Sequence, residues 1–136
     1  MQQKIFFIFL LSFPSFLYAQ LNTSLCDHIY IKMQHLPALK VSNEVYSDSL
    51  ETMLKSKNFS LKNNEITCRF IVTANAQIED IIILLGTVTK QNEFNESILS
   101  LGAFWHPATQ NGYAVCAYTK LHIKIINKKI LVDIPD

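Results

Sequence analysis

Four histidines, three cysteines and one adjacent pair of acids carry most of the reactive chemistry this 136-residue chain could offer. His28, His35, His106 and His122 fall at no metal-ligand spacing: there is no His-Glu-x-x-His and no cysteine pair at zinc spacing. Glu79 and Asp80 could in principle divide acid and base roles, but neighbours in an extended strand point to opposite faces. No serine sits in a nucleophile elbow, and no glycine-rich loop is present to cradle a phosphate. The expectation is a protein with no catalytic residues, no metal, no cofactor and no small-molecule substrate. Three Asn-x-Ser sequons, at Asn22, Asn58 and Asn95, would matter only in a eukaryotic secretory pathway.

Cys26, Cys68 and Cys116 leave three pairings and an odd thiol. Cys68 and Cys116 both fall in expected strands, so a Cys68–Cys116 bridge is geometrically open; the competing reading is that these are small buried hydrophobes. A disulfide requires an oxidising compartment, and the first residues read as an export signal. Lys4 precedes the apolar run Ile5–Leu11, and Leu17-Tyr18-Ala19 ends on a small residue suited to cleavage before Gln20. The run is shorter than the roughly 20 apolar residues of a membrane span. The expected division is a signal over 1–19, an N-terminal arm over 20–46 and a domain over 47–136, with export as the outcome. Retention of the segment as an inner-membrane anchor is the alternative. Removal of the signal leaves roughly 117 residues, enough for one core. The net charge of +1, with acids and bases interspersed, argues against a nucleic-acid partner.

The elements that must position these side chains are legible in the hydrophobic periodicity. Ile29, Ile31 and Met33 alternate as in a short strand until Pro37. Asp48 to Lys57 reads as a helix with Asp48 and Glu51 as a capping box and Leu50, Met53 and Leu54 on one face. Glu65 to Ala74 alternates as a strand, and Asn75-Ala76-Gln77 is an expected turn with Asn75 suited to positive φ. Ile78 to Leu85 is a second strand, apolar on both faces over Ile81–Leu85 and therefore expected to be shielded from water. Gln91 to Leu101 is a second helix, with Asn92 as cap and Gly102 as its left-handed terminator. The longest alternation runs from Tyr113 to Ile126, after which Asn127-Lys128 turns into a short strand over Ile130–Ile134. Helix, hairpin, helix and strand in this order predict an α+β fold: a small antiparallel sheet with two helices on one face, a β-β-α-β core preceded by a short helix.

Between the second helix and the longest strand lies the segment Trp105-His106-Pro107-Ala108-Thr109-Gln110-Asn111-Gly112, with the only tryptophan and one of three glycines. Gly112 can take a conformation that a Cβ resists, and Pro107 fixes φ and extends His106. Trp105 offers a large apolar face for the helix–sheet seam, with its N–H expected on a carbonyl. Together with Cys68-Arg69-Phe70-Ile71-Val72 and Ile78, the string Trp105, Pro107, Ala108, Asn111, Gly112 and Val115 resembles the C-terminal domain of the TonB family of periplasmic energy transducers, over about Tyr46 to Ile126. The family's turn glycine is absent near Ala76, Tyr46-Ser47 stands where a Tyr-Pro pair is usual, and no long Pro-rich segment is present.

The resemblance implies a protein-binding module. In that family the last strand lies at a sheet edge and receives an extended segment of an outer-membrane transporter by strand addition, so Tyr113, Val115, Ala117, Tyr118, Thr119, Lys120, Leu121 and His122 are the implied peptide-binding edge. The same strand could instead be interior, capped by Ile130–Ile134, or paired in a homodimer. A membrane-anchored transducer and a secreted enzyme or inhibitor reusing the fold are the competing functions.

Overall fold

The computed structural model describes residues 26–59, 61 and 65–135; the expected export signal over 1–19 and its expected cleavage point lie outside the described residues. In chain order the elements are β1 (Ile29–Tyr30), β2 (Ala38–Leu39), α1 (Asn43–Ser56), β3 (Glu65–Val72), β4 (Ile78–Leu85), α2 (Gln91–Ser100), a 3₁₀ turn (Gly102–Phe104), β5 (Trp105–His106), β6 (Ala108–Gln110), β7 (Tyr113–Ile126) and β8 (Lys129–Asp133). This is an α+β fold. The main sheet runs β1-β7-β3-β4, with β6 and β8 also on β7, and β2 pairs with β5 in a separate two-stranded ribbon.

The alternation expected of the strands sets the layers. Ile66, Cys68, Phe70 and Val72 of β3 and Leu121 and Ile123 of β7 point to one face, where Leu50 and Leu54 of α1 and Phe94 and Ile98 of α2 cover them in a single core. Trp105 lies at its centre, fully buried, with its ring edge-on to Phe70 at 5.3 Å and to Tyr46 at 5.9 Å. Burial of an indole among aromatic edges is the structural role expected of it. The N–H finds no carbonyl, however. Trp105 Nε1 and Tyr46 Oη are both buried and neither has a partner of full hydrogen-bond geometry among the described residues. Burial raises the Tyr46 hydroxyl's pKa, and the nearby indole N–H offsets part of that rise.

Several local expectations are corrected. Helix α1 begins five residues before Asp48, because Ser42 accepts the Val45 N–H at 3.2 Å and caps it. Asp48 is thus an interior residue. Its carbonyl accepts from Thr52 Oγ1 at 2.9 Å. The N-cap of α2 is Lys90 with no side-chain cap, and α2 ends at Leu101 in ordinary backbone rather than on a left-handed Gly102. In the β3–β4 turn the positive φ falls on Ala76 (59°), not Asn75. The turn is held by Thr73, whose N–H donates to the Gln77 carbonyl at 2.8 Å and whose Oγ1 accepts the Gln77 N–H at 3.0 Å. Asn111 and Gly112, at φ 51° and 78°, form the two-residue turn between β6 and β7, as the mirror-image hairpin turns require.

Strand β4 differs most. Ile82, Leu84 and Leu85 are exposed, although the run was expected to be shielded. Among the described residues no strand pairs with the far side of β4, and only one of its faces meets a helix.

Candidate functional site

Strand β7 was expected at the edge of the sheet and is in its interior. On one side it pairs with β3 from Ala117 to Lys124. On the other it carries β1, in parallel, at Cys116 and Ala117, and β8 from His122 to Ile126. The physical reason is that both flanking segments fold back onto it. Asn127 and Lys128, at φ 50° and 64°, make a tight two-residue turn into β8. A disulfide between Cys26 and Cys116 ties the N-terminal arm beside β1. The Cys68–Cys116 pairing is therefore not the one formed. Cys68 is free and buried under the helices, and burial pushes its thiol pKa up to about 12.

The cover of β7 on its outer side is incomplete. Its partners stop at Ala117 and resume at His122, so among the described residues Tyr118 to Leu121 has no strand beside it there. The alternation of the ladder says which groups this leaves bare. Ile126 and Lys129 flank the two-residue turn and form a hydrogen-bonded pair, so every second residue back along β7 directs its N–H and C=O outward. An independent contact agrees with this register. The Val132 N–H, in the non-bonded pair with Ile123, turns away from β7 and donates to Ser47 Oγ of α1 at 2.9 Å. Lys120 thus faces the gap with its backbone. Continuing the β8 register two residues would set Pro135 opposite Lys120. Proline has no N–H to give, which accounts for pairing that ends at Asp133.

A groove of about 330 Å³ overlies this gap, walled by Leu36 and Pro37 on the arm side and by Ile134 and Pro135 on the tail side. Tyr118, Lys120 and Arg69 lie on the sheet face away from the helices. The Arg69 guanidinium stacks 4.6 Å from the centre of the Tyr118 ring, and Arg69 and Lys120 are direct cross-strand partners. Among the described residues no carboxylate pairs with either cation. His122, one pair further along, sits against Glu65.

The other implied edge residues separate by face. Thr119 and Leu121 are buried toward the helices, and Tyr113 is exposed beside the Asn111–Gly112 turn. Val115 and Ala117 join Ala108 in a second small cluster, covered by Tyr30 and Met33 of the arm. Pro107 is half-buried between β5 and β6. The arm itself was not among the expected site residues. A short strand was legible in the alternation of Ile29, Ile31 and Met33, and β1 forms over its first two residues, but nothing local shows that it joins β7; Cys26 was the one signal that the arm is tied down.

Elsewhere a cleft of about 530 Å³ opens between α1 and the β7–β8 turn, over Leu54, Phe59, Leu61, Ile125 and Ile130. Its acid, Glu51, lies 3.6 Å from Lys55 on the next helical turn. No nucleophile–base pair lines it, and no group of three metal-ligating side chains occurs among the described residues. No helix of the described residues is long and apolar enough to cross a membrane.

Searches for related proteins found no matching family model, curated protein or solved structure.

Proposed function

We propose that this chain is an exported, periplasmic protein-binding module similar to the TonB C-terminal domain, which takes an extended segment of a partner protein against the outer side of β7 between Cys116 and Leu121. One observation carries the reading: the chain already lays an extended segment of its own there. β1 adds to β7 in register at Cys116 and Ala117, which is the geometry of strand addition performed intramolecularly. The neighbouring residues Tyr118 to Leu121 leave backbone groups for an incoming strand, and the Leu36–Pro37 and Ile134–Pro135 walls would bracket its side chains. An outer-membrane receptor segment is the partner class that the family resemblance suggests. The disulfide suits an oxidising compartment.

The test is a pull-down from envelope extract with the exported chain and its Lys120→Pro variant. The variant lacks an outward N–H but keeps the β3 ladder, whose donors come from the alternate residues. Partner recovery should fall at least about tenfold while the far-ultraviolet circular dichroism is unchanged. Equal recovery by a folded variant rejects the reading. If the variant does not fold, Tyr118→Arg, which leaves the backbone intact and crowds the groove, gives the same discrimination.

A further inference from the structure

The arm that occupies β7 is fastened mainly by one covalent bond. Between Cys26 and Met33 it contributes a two-residue strand, the half-buried side chains of Ile29, Tyr30 and Met33, and a ring contact of His28 on Tyr30 at 4.6 Å, while Ile31 is 87% exposed. Firmer anchoring begins only at Gln34 and His35. Their N–H groups donate to the Thr109 carbonyl at 3.1 and 3.3 Å, and the Gln34 Oε1 accepts the Asn111 N–H at 2.8 Å. Ordering eight residues costs more conformational entropy than two ladder positions and three partly buried side chains return. The deficit is met by the Cys26–Cys116 bridge, which spans 90 residues and ends on the residue that β1 pairs with. The cluster beneath the arm, Ala108, Val115 and Ala117, is separate from the main core, so uncovering it leaves the helix–sheet packing intact.

We propose that this disulfide is a redox latch on the β7 edge: reduction releases residues 26–33 and bares the outer backbone of Cys116 and Ala117, continuous with the gap at Tyr118–Leu121, together with the Ala108–Val115–Ala117 patch, to an extended segment carrying apolar side chains spaced as Tyr30 and Met33 are. The inference rests on the strand-addition reading and adds its regulation. The reductant is a dithiol. Its thiolate attacks the Cys26 sulfur, the more exposed of the two, and expels Cys116 as a thiolate, which takes up a proton. The second thiol of the reductant then displaces Cys26 from the mixed disulfide. Two electrons and two protons pass to the protein, which gains two thiols, and the reductant leaves as its own disulfide. The occupant is defined by what it replaces. The arm presents Tyr30 and Met33 to small side chains from a parallel strand, and a partner would do likewise.

The test is hydrogen–deuterium exchange on the oxidised chain, the dithiothreitol-treated chain and the Cys26→Ser variant, followed by titration with a synthetic peptide of the sequence Asp27–His35. Reduction should speed exchange about tenfold or more in residues 27–33 and 114–120, with β3 unchanged. The labelled peptide should bind the reduced chain and not the oxidised one. Unchanged exchange in 114–120 overturns the latch, and so does an increase that extends across β3, since that is loss of the fold. Opening without binding of the peptide leaves the latch standing and rejects strand addition. Dithiothreitol treatment of the unaltered chain gives the same readout if the variant does not fold.

Discussion

Two sides of one sheet meet the same hazard, an unpaired strand, by different means. No strand among the described residues pairs with the outer side of β4, and its ladder to β3 shifts register twice, between Thr67 and Cys68 and between Arg69 and Ile71. Asp80, at φ 56°, places a charge and a left-handed residue in the second irregularity. Bulges and charges of this kind spoil the regular row of donors and acceptors that a foreign strand would need. The outer side of β7 is regular and is blocked by occupancy instead, with β1 at one end and β8 at the other. A block by geometry is permanent, whereas a block by occupancy can be lifted. Exposed apolar residues are therefore a poor guide to the proposed binding edge: Ile82, Leu84 and Leu85 mark the side less able to accept a strand.

The largest effect is expected from the core that both sides share. Trp105→Ala removes a fully buried indole that contacts Phe70 and Tyr46 and should cost about 3–5 kcal/mol in urea-unfolding midpoints, loosening both edges.

Alkaline titration comes next. Cys68 lies on β3, between the two edges, and its folded pKa is raised from 9.0 to about 12. The folded state thus holds a proton that the unfolded chain loses. The stabilisation is fully present below pH 9, declines as pH rises above it and is gone past the folded value. The decline is about 1.4 kcal/mol for each unit between the two. Cys68→Ala should flatten that part of the stability profile.

Ser47→Ala strips the acceptor from the Val132 N–H on the outer side of β8, and should cost about 1–3 kcal/mol. It loosens the C-terminal cover of β7 and should leave β4 unaffected. The smallest effect belongs to the β3–β4 turn. Ala76→Gly relieves a positive φ and should stabilise by about 0.5–1 kcal/mol in the same assay, without change at β7.

Where these regions were legible from residues and where they were not follows from range. Strands β3, β4 and β7, helix α2 and the Asn111–Gly112 turn came out within a residue or two, since each is a local pattern long enough to repeat. The start of α1 was misplaced because Ser42 and Asp48 are both competent caps, and only the burial of Tyr46 against Trp105 decides between them. Edge status was misread for a different reason. Whether β7 is free depends on which remote segments lie beside it, and the short alternation at Ile29–Met33 marks a strand without saying which strand it joins. The disulfide was open among three pairings because nothing local brings Cys26 to Cys116. The exposure of Ile82 was missed because an apolar run does not reveal that a sheet stops there.

The most direct measurement places a photo-crosslinking side chain at Tyr118, in the β7 groove, and separately at Ile82, on β4, in the exported chain, and compares the partner adducts formed in the cell envelope. Strand addition on β7 predicts a partner peptide cross-linked through Tyr118 and not through Ile82. Adducts formed through Ile82 alone would contradict it.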